Sequence, residues 1–381
     1  MTKHKSFRFL GLTAVILSML LTILGGCGKP ATPIDSTITT ESVTSLNETT
    51  ITGGSSAVAS TDATGEVTTA SSSDKPSKAT TKATTKATTK SSASATATTA
   101  TTKLNVDVYN IAKAQGKLAV WFFSMPHPTA HTGDSTLIRT PGGKTMLIDS
   151  GSADGGKMVN GYLDKLGIKK IDVMVITHMH QDHVGGAVSI LRHVNVGTVY
   201  GSPLKDYNTS IAKGFINELR NKGLTYNVLK TGDKIALDTN VTLETLWPGA
   251  DFTVPAGTTP ETDGGFTNNS SVVLRMPFGS RTFLFTGDIE MEVEEELVAS
   301  IPGKLKCDVL KIPHHGAATS SSSAFVRAAG AKYGAIMVYA MNDINIINRY
   351  KAFGTQIHLT SVDGTALYLT DGKTLQYASQ K

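Results

Sequence analysis

Between residues 178 and 183 the chain reads His178-Met-His180-Gln-Asp182-His183, four metal-competent side chains within six residues. An apolar run, 171–176, precedes the motif and Gly185-Gly186 follows it, which places it at a strand-to-helix turn. His178 and His180 are two apart, so an extended backbone projects them from one side. Asp182 and His183 then turn toward a neighbouring position as the helix begins. Imidazoles and a carboxylate suit Zn²⁺ first, with Mn²⁺ or Fe as alternatives, and no thiolate lies nearby. A lone histidine on an apolar face is usually structural; three with an aspartate at one turn are not accidental. Asp288, in Thr286-Gly287-Asp288, ends the expected strand 281–285 and is placed either to bridge metals or to cap a helix. Pro313-His314-His315-Gly316 likewise ends an expected strand, 308–312.

The elements that must position these residues begin at about Val106. Strands are expected at 118–123, 135–139 and 145–149, with Thr140-Pro-Gly-Gly-Lys144 as a hairpin turn between the second and third. Helices follow at 156–166, 185–193 and 210–222, the first ended by Gly167. The buried strand 171–176 leads into the histidine motif. Later strands are expected around 198–200 and at 241–246, 271–275, 281–285, 308–312, 335–338, 356–359 and 366–369. Strands outnumber helices, and helices separate only some of them. That mix predicts a layered α/β sandwich rather than a doubly wound parallel sheet.

Composition divides the chain in three. Residues 1–27 carry a basic start (Lys3, Lys5, Arg8), an apolar stretch of roughly fifteen residues and Leu24-Gly25-Gly26-Cys27, which reads as a secretory signal. The apolar run is short for a membrane span, which takes ~20 residues. The same four residues resemble the lipobox of bacterial lipoproteins, which implies a lipid on Cys27 and an anchor on the outer face of the cytoplasmic membrane. Residues 28–103 are rich in Ser, Thr, Ala and Lys and cannot bury enough apolar surface to offset ordering entropy. They are expected to form a disordered tether. Within it, Lys78-Ala-Thr-Thr-Lys82-Ala-Thr-Thr-Lys86 repeats every four residues and offers lysines to an anionic cell wall, though a plain spacer is the simpler reading. Residues 104–381 form the folded domain. The other cysteine, Cys307, then has no partner, so stability must come from a core rather than from disulfides. Ten of the 36 basic residues and six of the 31 acids precede Leu104, which leaves 26 against 25. Overall charge therefore gives no support for nucleic-acid binding.

His-x-His-x-Asp-His is the signature of the metallo-β-lactamase superfamily, and the order of the motifs here is similar to it. The resemblance implies an αββα sandwich. It also implies that Asp149, in Leu-Ile-Asp149-Ser-Gly, supports a ligating histidine from behind, and that His315 is a ligand with His314 on the substrate side. Within the superfamily the chain resembles the extracytoplasmic hydrolase domain of ComEC-type DNA-uptake proteins. The matching stretches are Gly133-Asp134-Ser-Thr-Leu-Ile, Asn269-Ser-Ser271-Val-Val-Leu-Arg, Phe-Thr-Gly287-Asp288-Ile-Glu, Leu-Lys311-Ile-Pro-His314-His315-Gly and Ser361-Val-Asp363-Gly364-Thr. Those domains often carry Asp where His180 stands, and their usual third histidine of the first site has no clear counterpart. His193 and Asn269 are the candidates for that side.

The implied chemistry is hydrolysis by two divalent ions sharing Asp288 and a water. His178 and His180 would hold one ion, and Asp182, His183 and His315 the other. The ions lower the water's pKa toward ~7, so that hydroxide attacks a phosphorus or a carbonyl carbon. His314, Asn269 and Ser271 are the candidates to contact substrate or protonate the leaving group. The first reading is a phosphodiesterase or nuclease acting outside the membrane. The second is hydrolysis of a β-lactam, lactone, thioester or phosphocholine ester, since one fold hosts many chemistries. The third is an inactive metal-binding surface lipoprotein, against which the intact ligand set counts.

Overall fold

The computed structural model describes residues 101–127, 132–253, 255–257, 263–337 and 343–381; the signal-like segment, the lipid-site candidate Cys27 and the linker up to residue 100 lie outside the described residues. Among the described residues the strands form two sheets, one of nine and one of seven. In the first, the strands Leu118–Phe122, Thr136–Arg139 and Thr145–Ile148 form an antiparallel meander, onto which Lys170–Ile176 and Asn195–Gly201 add in parallel. In the second, Val241–Trp247, Val273–Phe278 and Arg281–Phe285 are antiparallel, and Val309–Lys311, Tyr333–Ile336 and Gln356–Leu359 continue in parallel.

The two-residue period of a strand explains why these segments read as nearly unbroken apolar runs. Leu118, Val120 and Phe122 face the other sheet and pack with Leu274, Phe283 and Phe285. Ala119 and Trp121 face outward and pack with Val159, Leu163, Ile190 and Phe215 of the helices on that side. The second sheet repeats the plan: Leu284 and Leu310 meet Val293, Leu297, Phe325 and Tyr350 on its outer helices. Strands buried on both faces need apolar residues at every position. The result is the αββα sandwich.

Elements begin where local chemistry lets them. The first long helix spans Ala153–Lys165, three residues earlier than expected, because the Ser152 side chain accepts from Gly155 N. The expected helix at 185–193 spans Ala187–His193, and a separate turn of helix, Gln181–Val184, lies before it within the histidine motif. The expected strand at 271–275 starts only at Val273, because Val272 N donates to Thr177 O (2.9 Å) and draws that turn toward the histidine motif. Thr102 and Lys103, counted with the linker by composition, pair in parallel with Leu375–Ser379. The helices Met291–Ser300, Ser323–Ala329 and Ile344–Ala352 cover the second sheet and had no counterpart in the sequence reading. Among the described residues no helix is long and apolar enough to cross a membrane.

Candidate metal centre

Four strands end at one edge of the sandwich, and each delivers part of the site. Asp149 follows Thr145–Ile148, the histidine motif follows Lys170–Ile176, Asp288 follows Arg281–Phe285, and His315 follows Val309–Lys311. Ligand sites of open sheets sit outside such carboxyl ends. Pro313 opens a tight turn in which His314 (φ 47°) and His315 (φ 52°) both take the left-handed region; Asp149 does so too, at φ 61°. Non-glycine residues held there cost on the order of 1–3 kcal/mol each, strain that clusters at functional sites.

Carboxylates fix the imidazoles. Asp149 accepts from Thr177 N and Thr177 Oγ1, both at 2.7 Å, and its Oδ2 lies 2.8 Å from His183 Nδ1. That contact turns His183 Nε2 toward Asp288 Oδ2, 3.1 Å away. His315 Nδ1 lies 3.0 Å from Asp134 Oδ1 and 2.9 Å from the Met337 carbonyl, which leaves its Nε2 at 3.0 Å from Asp288 Oδ2 and 3.1 Å from Asp182 Oδ2. His178 Nε2 and His180 Nδ1 are 3.1 Å apart, and His178 Nδ1 lies 3.2 Å from Ser271 Oγ. The same hydroxyl accepts from Asp288 N at 3.0 Å, so Ser271 ties the two halves of the site together.

The donors suit a cation. Asp134, His183, Asp288 and His315 are buried and each offers an atom within 4.8 Å of the others. The Nε2 atoms of His183 and His315 are 3.4 Å apart. Ligands at about 2.0–2.2 Å around a tetrahedral ion lie about 3.3 Å from one another, so this spacing fits one divalent ion.

Charge on these side chains follows from the same contacts. Burial opposes a proton on His183, but Asp288, Asp149 and Asp182 outweigh it and lift the pKa well above the imidazole range. For His315, burial is likewise outweighed by Asp288 and Asp134. Burial and the neighbouring imidazoles hold His178 well below its ordinary value and lower His180 as well. Burial also resists ionisation of Asp288, yet His183, His315 and Lys311 hold it well below the carboxylate range. The metal-free protein should therefore be most stable near pH ~6.5, the unfolded imidazole value. Below it the unfolded chain gains protons that His178 and His180 do not. Above it the native state keeps protons on His183 and His315 that the unfolded chain loses. Urea melts of chelator-treated protein across pH 5–9 check this; stability rising steadily to pH 9 would contradict it.

Two residues given no role in the sequence reading belong here. Asp134 supports His315 and joins the buried donor group. Lys311, 5% exposed, ion-pairs with Asp134 and, at 3.0 Å, with Asp288 Oδ1, and donates to the Gly287 carbonyl at 2.9 Å. The available signals were a lysine ending an otherwise apolar strand and a Gly-Asp pair opening another. Gly133 is required by geometry: its φ is +75°, and a Cβ there would sit 1.7 Å from the Asp182 carbonyl oxygen. Gly133→Ala should push Asp134 off the motif and cut hydrolysis by about 10–100-fold, the range for residues that orient ligands. Full activity with an unchanged circular dichroism spectrum would refute that.

Other sequence candidates lie elsewhere. The Asn269 side chain accepts from Glu290 N (2.8 Å) and reaches Glu292; its neighbour Asn268 is the one beside His314, at 3.3 Å. The chain leaves the short helix Gly264–Asn269 at that point, and a one-residue offset reverses which side chain faces the cleft. His193 pairs with Asp164 at 3.0 Å on the adjoining helix, away from the centre. His314 stands at the mouth, with Nδ1 at 2.8 Å from Thr319 Oγ1 and 3.4 Å from Glu290. An open cleft of about 310 Å³ runs between His180, Asp182, Asp288, His314 and His315.

The sequence profile of the metallo-beta-lactamase superfamily matches residues 128–339, more than half of the chain. The chain belongs to that superfamily, and with it to a class of metal-dependent hydrolases. Among curated relatives, it is 31% identical over 182 residues to ComE operon protein 3 of Bacillus subtilis, covering 45% of this chain and 20% of that one. It is 25% identical over 241 residues to competence protein ComA of Neisseria gonorrhoeae, covering 62% and 30%. It is 36% identical over 98 residues to ribonuclease Z of Clostridium tetani, covering 26% and 28%. The chain thus spans less than a third of the length of these relatives. Among solved structures, Zn²⁺-bound PqqB from Methylobacterium extorquens aligns over 65% of this chain and 99% of its own, with 10% identity and a TM-score of 0.39.

Proposed function

We propose that this chain is an exported, membrane-anchored phosphodiesterase acting on nucleic acid or a related phosphodiester. The observation that carries the metal chemistry is the buried group His183, Asp288, His315 and Asp134 at the floor of an open cleft. Similarity to two competence proteins and a ribonuclease favours a phosphodiester over a β-lactam, lactone, thioester or phosphocholine ester. In this reading His178 and His180 would hold one divalent ion and Asp182, His183 and His315 a second, with Asp288 as a further carboxylate ligand; zinc suits the set first, manganese or iron next. Such ions, when bound, lower the pKa of water and offset charge developing on a phosphoryl group. Asp149 and Asp134 fix which imidazole nitrogen faces inward. His314, held below the ordinary imidazole pKa by burial, is neutral at pH 7 and contacts substrate at the mouth. A lipid on Cys27 and the Lys-Thr-rich tether would place the cleft outside the cytoplasmic membrane, near the wall.

A single panel tests the reading: metal content by mass spectrometry, then turnover of single-stranded DNA, bis-p-nitrophenyl phosphate, a chromogenic cephalosporin and a lactone. Turnover of the first two supports it, and turnover of the cephalosporin alone overturns it. Export and anchoring are tested by radiolabelled palmitate on the wild type and on Cys27→Ser.

A further inference from the structure

We propose that the helix Ser210–Asn221 and the loop before it form the track on which a single-stranded polynucleotide lies, with one base seated in a slot next to His180. The inference rests on the phosphodiesterase reading and locates the rest of the polymer. The slot, a cavity of about 290 Å³, has Met179, His180, Tyr207 and Ile211 as its apolar and aromatic walls, and Gln181, Asp182 and Thr209 also line it. His180 also borders the metal cleft, so the slot adjoins the candidate centre. Tyr207 is shared in turn with a second groove of about 280 Å³ that holds Lys205, Lys213 and Arg220. The three spaces are therefore neighbours in series, the cleft and the slot sharing His180, Gln181 and Asp182 as walls and the slot and the basic groove sharing Tyr207.

The charge on this path is uncommitted. Lys213 and Arg220 are seven residues apart and share one helix face with Ile216 and Asn217, while Lys205 comes from the loop. All three basic side chains are exposed, and among the described residues none is in an ion pair; Arg220 donates only to Asn217, at 2.9 Å. Glu218 is turned off this face and bonds Arg192 at 2.8 Å. Asp206 is the acid on the groove, leaving it cationic in a domain whose basic and acidic residues nearly cancel. Cationic grooves track phosphates, and an apolar slot between phosphate positions takes a flat ring, which a wall polymer without bases lacks.

The test uses the full-length, metal-loaded protein, a thymidine-rich oligonucleotide and bis-p-nitrophenyl phosphate. The variant Lys213→Ala/Arg220→Ala is compared with Lys144→Ala/Lys373→Ala, which removes equal charge at the opposite edge of the sheets. For the groove variant, the ratio of oligonucleotide to small-diester kcat/KM should fall about tenfold, and the salt slope should become shallower by about 1.4, two contacts at ~0.7 each. An oligonucleotide of the same length made of abasic sites should be cleaved about tenfold more slowly by the wild type. Equal ratios in both double variants, or equal cleavage of the abasic strand, overturn the track while the phosphodiesterase reading stands. If the wild type cleaves neither substrate, that reading falls and the track with it.

Discussion

Asp288→Ala is expected to release bound metal and to lower hydrolysis by more than ~100-fold, beyond the 10–100-fold typical of residues that only orient ligands. Asp288 Oδ2 lies between the inward nitrogens of His183 (3.1 Å) and His315 (3.0 Å), and its Oδ1 meets Lys311. Asp288→Asn is the informative companion: it keeps the volume and the backbone bond to Ser271 Oγ but removes the charge and presents an amide toward two imidazoles. It should fold normally and still lose metal. Asp149→Ala, which removes only the contact behind His183, should fall in the milder range. Metal counts by mass spectrometry and turnover of bis-p-nitrophenyl phosphate give the order Asp288 worse than Asp149. Equal losses, or Asp288 variants that keep metal and rate, would remove Asp288 from the centre.

That ordering was only partly visible in the sequence. The histidine motif, Asp288 and His315 stood out because each ends an apolar strand, and chemistry at a strand end is exposed by pattern alone. The two sheets were legible for the same reason, since strands buried on both faces give long apolar runs such as 118–123. Asp134 and Lys311 lie within the family-like stretches, but no sequence pattern assigns them a role, because their importance is mutual: each is explained by the other's charge across 177 positions of chain. Asn268 and Asn269 differ by one residue, and only the turn at the end of Gly264–Asn269 decides which faces His314. The basic track escaped notice because Lys205, Lys213 and Arg220 come from a loop and two helix turns in a domain near neutrality, so neither net charge nor a charge run reveals it.

Lys311 is expected to act as a resident cation, and Lys311→Met should show it. The ammonium is buried between Asp134 and Asp288, and although burial disfavours its charge, the two carboxylates raise its pKa above the ordinary lysine value. Methionine fills the same volume but leaves two buried carboxylates and the Gly287 carbonyl without their donor. Breaking a buried pair from one side costs about 3–5 kcal/mol, which for a domain of this size is a fall in Tm of roughly 5–9 °C in chelator. Divalent ions would supply part of the missing positive charge, so the fall should be smaller in zinc and the gap between zinc and chelator wider than in the wild type. Adding Asp134→Asn removes one of the two carboxylate charges that Lys311 balanced and should recover part of the loss in chelator, because deleting both partners is milder than deleting one. His315 would lose a carboxylate at Nδ1 in that double variant but keep the Met337 carbonyl, so its orientation survives. A Lys311→Met protein with the wild-type Tm in both conditions would show that the ammonium carries no such charge balance.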